Sequence, residues 1–383
     1  MTFCLQLMNK IWPITEIPMQ ISPKTDRKSG IFKKQLLIVL FLIIAGVVGL
    51  YYFQAYGSRN LFHRNSGQWS AQRIDTVRNK DSLVLEFRPA VLDTVKYDQL
   101  LRALSNGDSS GRWPVKLKYP LPGAIFPFNR VIAYYGNFYS KRMGVLGEYP
   151  TDTMFAKLKA ELKKWQAADS TVPVRPALHY IAVTAQGYPG KGNKYRLRMP
   201  FKQIDSVIRM AARINALVFL DIQVGMSTVQ DEVPLLEPYL KMPQVHLGID
   251  PEFSMKTGKK PGSVIGTMND SDINFTIRYL ANLAKANQLP PKILVVHRFT
   301  QAMIRNYKNI KPTPEVQVVI DMDGWGAKSR KLTTYREYVS KEPVQFTGFK
   351  LFYKNDFREA GSSMMTPVEV LKLKPRPVYI QYQ

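Results

Sequence analysis

Val245-His-Leu-Gly-Ile-Asp-Pro-Glu-Phe253 is an apolar run that ends in two acids around a proline. Nearly continuous apolar character over five residues suits a strand buried on both faces, and the abrupt polar ending marks the point where it reaches solvent. Seven other runs of this kind flank it: Val131–Gly136, Ala177–Ala185, Ala216–Gly225, Ile293–Phe299, Val316–Gly326, Phe346–Tyr353 and Val378–Tyr382. Between several of them lie stretches with apolar residues at helical spacing. Thr153–Ala168 carries Met154, Phe155, Leu158, Leu162 and Trp165; Phe201–Asn215 carries Ile204, Val207, Ile208 and Ala211; Asp272–Asn287 carries Ile273, Ile277, Leu280 and Leu283. This alternation predicts parallel strands with right-handed crossovers, closed into a (β/α)8 TIM barrel over residues 123–383. The segment between the fifth and sixth runs is short, so its helix is the weakest. An open doubly wound sheet is the alternative fold, but no G-x-G-x-x-G loop follows an early strand.

The remaining sequence predicts an anchor. Leu36–Phe53 is an 18-residue apolar run without a charge, preceded by Arg27, Lys28, Lys33 and Lys34. As a helix it would span about 27 Å, close to the hydrocarbon thickness of a bilayer. The basic flank predicts a cytoplasmic N-terminus (1–34), an uncleaved single-pass signal anchor (35–54), and a barrel outside the cytoplasm. A cleaved signal peptide is the competing reading, with Ala55-Tyr56-Gly57 as its weak processing site. Residues 55–122 form a membrane-proximal region in this scheme. Its Arg59–Lys80 is stalk-like, Ser82–Arg88 strand-like and Tyr97–Leu104 helical, and Pro120-Leu-Pro-Gly123 marks its boundary with the barrel. The chain has 383 residues and a formal net charge of +25. A diffuse basic excess favours anionic surfaces such as wall polymers, headgroups or acidic glycans. Nucleic acid is not expected, since no helix-turn-helix, zinc-finger or RNA-binding aromatic motif is present. Cys4 is the single cysteine. It excludes an intrachain disulfide and a cysteine nucleophile in the barrel.

In a barrel of this type, reactive groups sit where strands end at the C-terminal face. Those ends carry Asp221 and Gln223, Asp250 and Glu252, His297, Asp321 and Asp323, and Lys350. Alternate residues of a strand share a face, so Asp221 points with Gln223, Asp250 with Glu252, and Asp321 with Asp323. Carboxylates turned into a core are costly unless paired or used. Glu252 is the candidate general acid, its pKa raised by burial, with Asp221 or Asp323 as base. The competing reading of Glu252 is a rim salt bridge to Lys350. Gln223, Asp250, Asp321, His297 and Lys350 are candidate substrate-positioning groups, Lys350 either neutralising the acids or holding an anion. Trp325, between two glycines, is a candidate stacking face for a sugar or a plain rim cap. Tyr134 or Tyr135 lines the pocket, with Tyr135 carried as the candidate. His179 and His246 lie deeper in their runs and read as structural. No H-x-H or H-E-x-x-H spacing appears, so neither a metal nor another cofactor is expected. Gly187–Gly190 and Gly258–Gly262 read as mobile loops over the mouth, the first followed by Lys191, Lys194, Arg196 and Arg198.

The ordered set Val131–Asn137, Leu220–Gln223, Asp250–Phe253, Val296–Phe299, Asp321–Gly324 and Gly348–Phe352 resembles a family of uncharacterised bacterial exported TIM-barrel proteins. These are membrane-anchored or lipid-anchored and glycoside-hydrolase-like in fold. The resemblance spans about residues 123–383 and implies an envelope location and a carbohydrate or envelope polymer as partner. It assigns no catalytic residue. The chain departs from the lipid-anchored members because no apolar signal core precedes Cys4. It also departs from many retaining barrel enzymes, which place a glutamate nucleophile on strand seven, where this chain has Lys350. An inverting pair, with carboxyls roughly 6.5–9.5 Å apart, is the mechanism left to Glu252 with Asp221 or Asp323. The leading expectation is therefore a membrane-tethered, glycosidase-like barrel. A non-catalytic glycan-binding or scaffold protein on the same fold is the second, and a metal- or phosphate-centred hydrolase the third.

Overall fold

The computed structural model describes residues 91–383. Eight parallel strands form the barrel: β1 Arg130–Gly136, β2 Val174–Ala185, β3 Leu217–Ile222, β4 Val245–Ile249, β5 Lys292–Arg298, β6 Val316–Met322, β7 Phe346–Leu351 and β8 Tyr379–Tyr382. Each pairs with the next, and β8 pairs with β1 (Val131 beside Tyr379), which closes the sheet and excludes the open doubly wound alternative. Every residue of β3 to β8 is buried, which is why these runs read as continuously apolar rather than alternating.

The five longer helices are α1 Thr94–Ser105, α2 Thr151–Ala168, α3 Phe201–Arg213, α4 Asp270–Ala286 and α5 Lys328–Tyr335. Helix α3 lays Ile204, Val207 and Ala211 on the sheet, and α4 starts on a capping box in which Asn269 and Asp272 satisfy each other's backbone amides. The outer ring is incomplete. Between β5 and β6 the chain makes only single 3-10 turns and a two-residue strand, because 17 residues leave no room for a helix and two loops.

The core has two layers. The larger lies between strands and helices. The smaller fills the lower lumen with Val131, Ala133, Ala177, Leu217, Phe219, Ile293, Val295 and Val319. Ile125 and Phe126 plug the N-terminal end. Gln317, wholly buried on β6, receives hydrogen bonds from the Ile125 and Phe126 amides (2.9 and 3.1 Å) and donates to the Phe126 carbonyl (2.7 Å). Residues 94–122, grouped by sequence with the membrane-proximal region, lie against this end of the barrel. Asn106 donates to the carbonyls of Leu371 and Leu373, and Trp113 donates to that of Ser340. The apolar run Leu36–Phe53, residues 1–34, the stalk-like Arg59–Lys80 and the strand-like Ser82–Arg88 fall outside the described residues. None of the described helices is long and apolar enough to cross a membrane.

One buried cation near the lower end gives a stability test. Lys292, at the start of β5, is fully buried and donates to the carbonyls of Met242 (2.7 Å) and Val245 (3.1 Å). Burial lowers its ammonium pKa to about 7. Below pH 7 both folded and unfolded chains hold the proton, and the folded state bears the full penalty. Between pH 7 and the ordinary lysine value only the unfolded chain holds it, so stability climbs with pH, by up to about 1.4 kcal/mol per unit. Thermal unfolding at pH 7 and pH 9 should show a larger rise in wild type than in Lys292→Met. Equal rises would remove Lys292 from the account.

Candidate functional site

The C-terminal half of the lumen is polar, and the register explains how it is filled. Asp221 on β3 stands beside Gly248 on β4, and Asp321 on β6 beside Gly348 on β7. Each glycine makes room for the carboxylate next to it. A Cβ at Gly248 would lie 2.4 Å from Asp221 Oδ1 and 2.5 Å from His179 Nε2, and one at Gly348 would lie 2.4 Å from Asp321 Oδ1. The neighbours are barrel wall, so they cannot step aside. Gly248→Ala should cost about 1–3 kcal/mol of stability by overpacking. Unfolding in denaturant checks this, and an unchanged midpoint would show that the layer yields.

Asp221 is the hub of this layer. Its Oδ2 accepts from the Tyr135 hydroxyl (2.9 Å), and its Oδ1 faces His179 Nε2 at 3.3 Å and His297 Nε2 at 3.4 Å. On its other edge, His297 Nδ1 faces Asp321 Oδ2 (3.3 Å) and Asp323 Oδ2 (3.2 Å). These four imidazole–carboxylate approaches are close enough for strong charge interaction, but none has hydrogen-bond geometry. Lys350 donates to Asp323 (3.0 Å) and sits 4.0 Å from the Tyr135 ring centre. Tyr135 therefore faces the lumen, while Tyr134 lies in the outer layer with Tyr353 and Tyr382.

The charges sort themselves by burial and by neighbour. Burial opposes an imidazolium at His297, but Asp221, Asp321 and Asp323 overcome it and raise its pKa well above the ordinary value. Burial lowers His179 to about 4, so it is neutral. Burial would also raise Asp221, yet His297 and His179 hold it below the ordinary carboxylate range. Lys350 and His297 likewise outweigh burial at Asp323 and hold it down. Asp321 is raised by burial, and Asp250 is pushed up to about 7, by burial first and then by the charges of Asp221 and Asp323.

Glu252 lies above this floor. Asp250 directly follows β4 and accepts from the Glu252 amide (3.0 Å), while Pro251 takes the first position of the single 3-10 turn Pro251–Phe253. The chain is pinned again where the Gly266 amide donates to the Glu252 carbonyl, a passage so close that a Cβ at Gly266 would lie 2.6 Å from it. Glu252 is half-buried. Burial first, and then the charges of Asp250 and Asp323, raise its pKa well above the usual glutamate value, against the pull of Lys350 and His297. The rim salt bridge to Lys350 does not form, because that ammonium is committed to Asp323.

The remaining candidates are placed as follows. Gln223 accepts from the Ala185 amide (3.1 Å), with its own amide 3.4 Å from the Tyr135 hydroxyl. Trp325 is half-buried in the loop after β6, with the Arg358 guanidinium 5.6 Å from its ring centre. Arg196 and Arg198 follow the Gly187–Gly190 loop but do not belong to a mobile segment. They form a short strand antiparallel to β2 and pair with buried Glu232 at 2.8 and 2.6 Å.

The sequence missed three members of the floor. His179, read as structural, lines up with Tyr135 across the β1–β2 pair and faces Asp221. Tyr379 and Gln381, both buried on β8, surround the other nitrogen of His179: the Tyr379 hydroxyl lies 2.5 Å and the Gln381 amide 3.1 Å from Nδ1. The signal available was the period-two parity of each strand. His179, Asp221 and His297 are also the one group among the described residues that could hold a metal ion. They come from three strands, so no local ligand spacing reveals them.

Together these features define a TIM barrel with a buried His–Asp floor and a half-buried acid at its mouth. No family model matches the chain, and no curated protein matches it. Among solved structures, a hyperthermophilic endo-β-1,4-glucanase is similar at 10% identity over 55% of this chain and 77% of that one, TM-score 0.31. Cel5A from Thermotoga maritima, solved with cellobiose, is similar at 11% identity over 67% and 88%, TM-score 0.35. The Bacillus subtilis mannanase BCman is similar at 12% identity over 67% and 80%, TM-score 0.34. Similarity at this level carries no inference about activity, which must come from the site.

Proposed function

We propose that this protein is a membrane-tethered hydrolase of envelope or extracellular glycan, with Glu252 as general acid and Asp323 as its partner base. The observation that carries the reading is Glu252 itself: a half-buried carboxyl at the barrel mouth, its pKa raised by burial and by two neighbouring acids. Glycosidic oxygens are poor leaving groups without a proton, and an acid with a raised pKa supplies one near neutral pH. Asp323 is the ionised, partly exposed counterpart, its side chain 9% accessible and oriented by Lys350 and His297. Asp221, wholly buried, is assigned to holding the floor rather than to activating water. Asp250, Gln223, Tyr135, Lys350 and Trp325 are assigned to the sugar, and Asp321 and His297 to setting the charge beneath it. Anchoring through residues 36–53, with the barrel outside the cytoplasm, completes the proposal.

The test is reducing-end release from a panel of envelope polysaccharides, peptidoglycan and aryl glycosides, comparing wild type with Glu252→Gln. Release that disappears in the variant supports the reading. One observation favours a second reading, a glycan-binding barrel without turnover: Asp323 is tied to both Lys350 and His297, and strand seven offers no acid. Retention on one glycan with no release by either protein would select it.

A further inference from the structure

We propose that His179 Nε2, Asp221 Oδ1 and His297 Nε2 form a three-ligand site for one divalent transition-metal ion, zinc fitting best, in the floor of the barrel mouth. A tetrahedral ion bound at 2.0–2.1 Å by nitrogen and oxygen ligands sets those ligand atoms about 3.3–3.4 Å apart. Asp221 Oδ1 lies 3.3 Å from His179 Nε2 and 3.4 Å from His297 Nε2, and the three residues each offer a ligand atom within 4.8 Å of the other two.

These atoms also lack hydrogen-bond partners. All three side chains are wholly buried, yet His179 Nε2, His297 Nε2 and Asp221 Oδ1 make no hydrogen bond. Buried polar atoms are normally satisfied, and one ion bound between these three would satisfy them all. Gly248 keeps the space beside two of them clear of any side chain.

Each ligand has a neighbour behind it. Asp221 Oδ2 is held by the Tyr135 hydroxyl. His297 Nδ1 faces Asp321 Oδ2 at 3.3 Å and Asp323 Oδ2 at 3.2 Å, the side on which a metal-bound imidazole is oriented by a carboxylate, although neither approach has hydrogen-bond geometry as placed. His179 turns Nδ1 to the Tyr379 hydroxyl, and Gln381 Oε1 has no partner as placed. With the Gln381 amide turned over, Nδ1–H donates to Tyr379, Tyr379 donates to Gln381, and the Nε2 lone pair is left for the ion. Two imidazoles and one carboxylate favour zinc over magnesium or calcium, which prefer all-oxygen shells. The site shares His297 and Tyr135 with the glycan reading, but the observations behind it do not depend on that reading and survive its failure.

The experiment uses the full chain in detergent, stripped with a chelator and titrated with Zn2+ and then Co2+. One equivalent of each should bind, with the visible spectrum of four- or five-coordinate cobalt and a chelator-reversible rise in Tm. His179→Ala and His297→Ala should abolish the cobalt spectrum. Tyr379→Phe, which removes one hydroxyl behind His179, should keep the fold and weaken metal binding by about 10–100-fold. If either alanine variant fails to fold, Tyr379→Phe decides. Absence of stoichiometric binding to folded wild type overturns the site, as does binding unchanged in the folded variants. Both readouts are independent of glycan turnover, so the Glu252 test and this one fail separately.

Discussion

Glu252→Gln should lower turnover of an unactivated glycan by about 10²–10⁴-fold, the contribution of a well-placed general acid. Glutamine keeps the shape of the residue and its place on the Pro251–Phe253 turn, and removes only the proton to be donated. Donation happens in the transition state, so kcat and kcat/KM should fall together, with substrate affinity little changed. The loss should shrink on aryl glycosides whose leaving group departs without a proton. The pH profile supplies a second signature. Glu252 acts while protonated, so wild-type activity should decline as pH rises through its pKa. That decline should lie on the alkaline side of ordinary glutamate titration, because burial, Asp250 and Asp323 raise the value. In Glu252→Gln this alkaline limb should vanish from whatever activity remains. A loss of less than tenfold on the unactivated glycan would leave Glu252 without a catalytic role.

The polar floor was partly legible because a strand's period of two is rigid. Asp221, Asp250, Asp321, His297 and Lys350 all lie close to the ends of short strands, so parity and depth could both be counted from where the apolar run stops. His179 defeated that count. Strand β2 continues to Ala185, beyond the barrel layer, because its last residues pair with Arg196–Arg198 and a register shift interrupts it after Ile181. Counted from its apparent end, His179 looked deep. Counted across the β1–β2 register it is level with Tyr135, in the functional layer. The pairing of Arg196 and Arg198 was hidden for a different reason. Their partner, Glu232, is 34 residues further on from Arg198, and no local pattern announces a long-range ion pair. The pairing of Lys350 with Asp323 rather than Glu252 was likewise a matter of geometry, since all three sit at strand ends facing one mouth.

Lys331→Met should destabilise the barrel by about 3–5 kcal/mol, the usual cost of stranding one member of a buried ion pair. For a chain of this size that lowers Tm by on the order of 10 °C. Lys331, on α5, donates to Asp356 Oδ2 (2.6 Å) and to the Lys350 carbonyl (2.8 Å), and neither Lys331 nor Asp356 is more than 1% accessible. Burial lowers Lys331 to about 8, with Asp356 opposing the shift, so the ammonium is mostly charged at neutral pH. Asp356 also accepts from the Phe352 and Gly326 amides, both at 3.1 Å. One buried carboxylate thus ties the end of β7 to the loop that carries Trp325, while Lys331 fixes the backbone of Lys350 from outside the barrel. Methionine fills most of the volume but leaves Asp356 charged and the Lys350 carbonyl unbonded. Adding Asp356→Asn removes the stranded charge, so the double variant should be more stable than the sum of the single losses by about 0.5–3 kcal/mol. Strict additivity in chemical denaturation would show that the two side chains do not interact. Because the same pair positions Lys350 and the Trp325 loop, folded Lys331→Met should also lose glycan affinity at temperatures well below its Tm, although Lys331 itself lies outside the mouth.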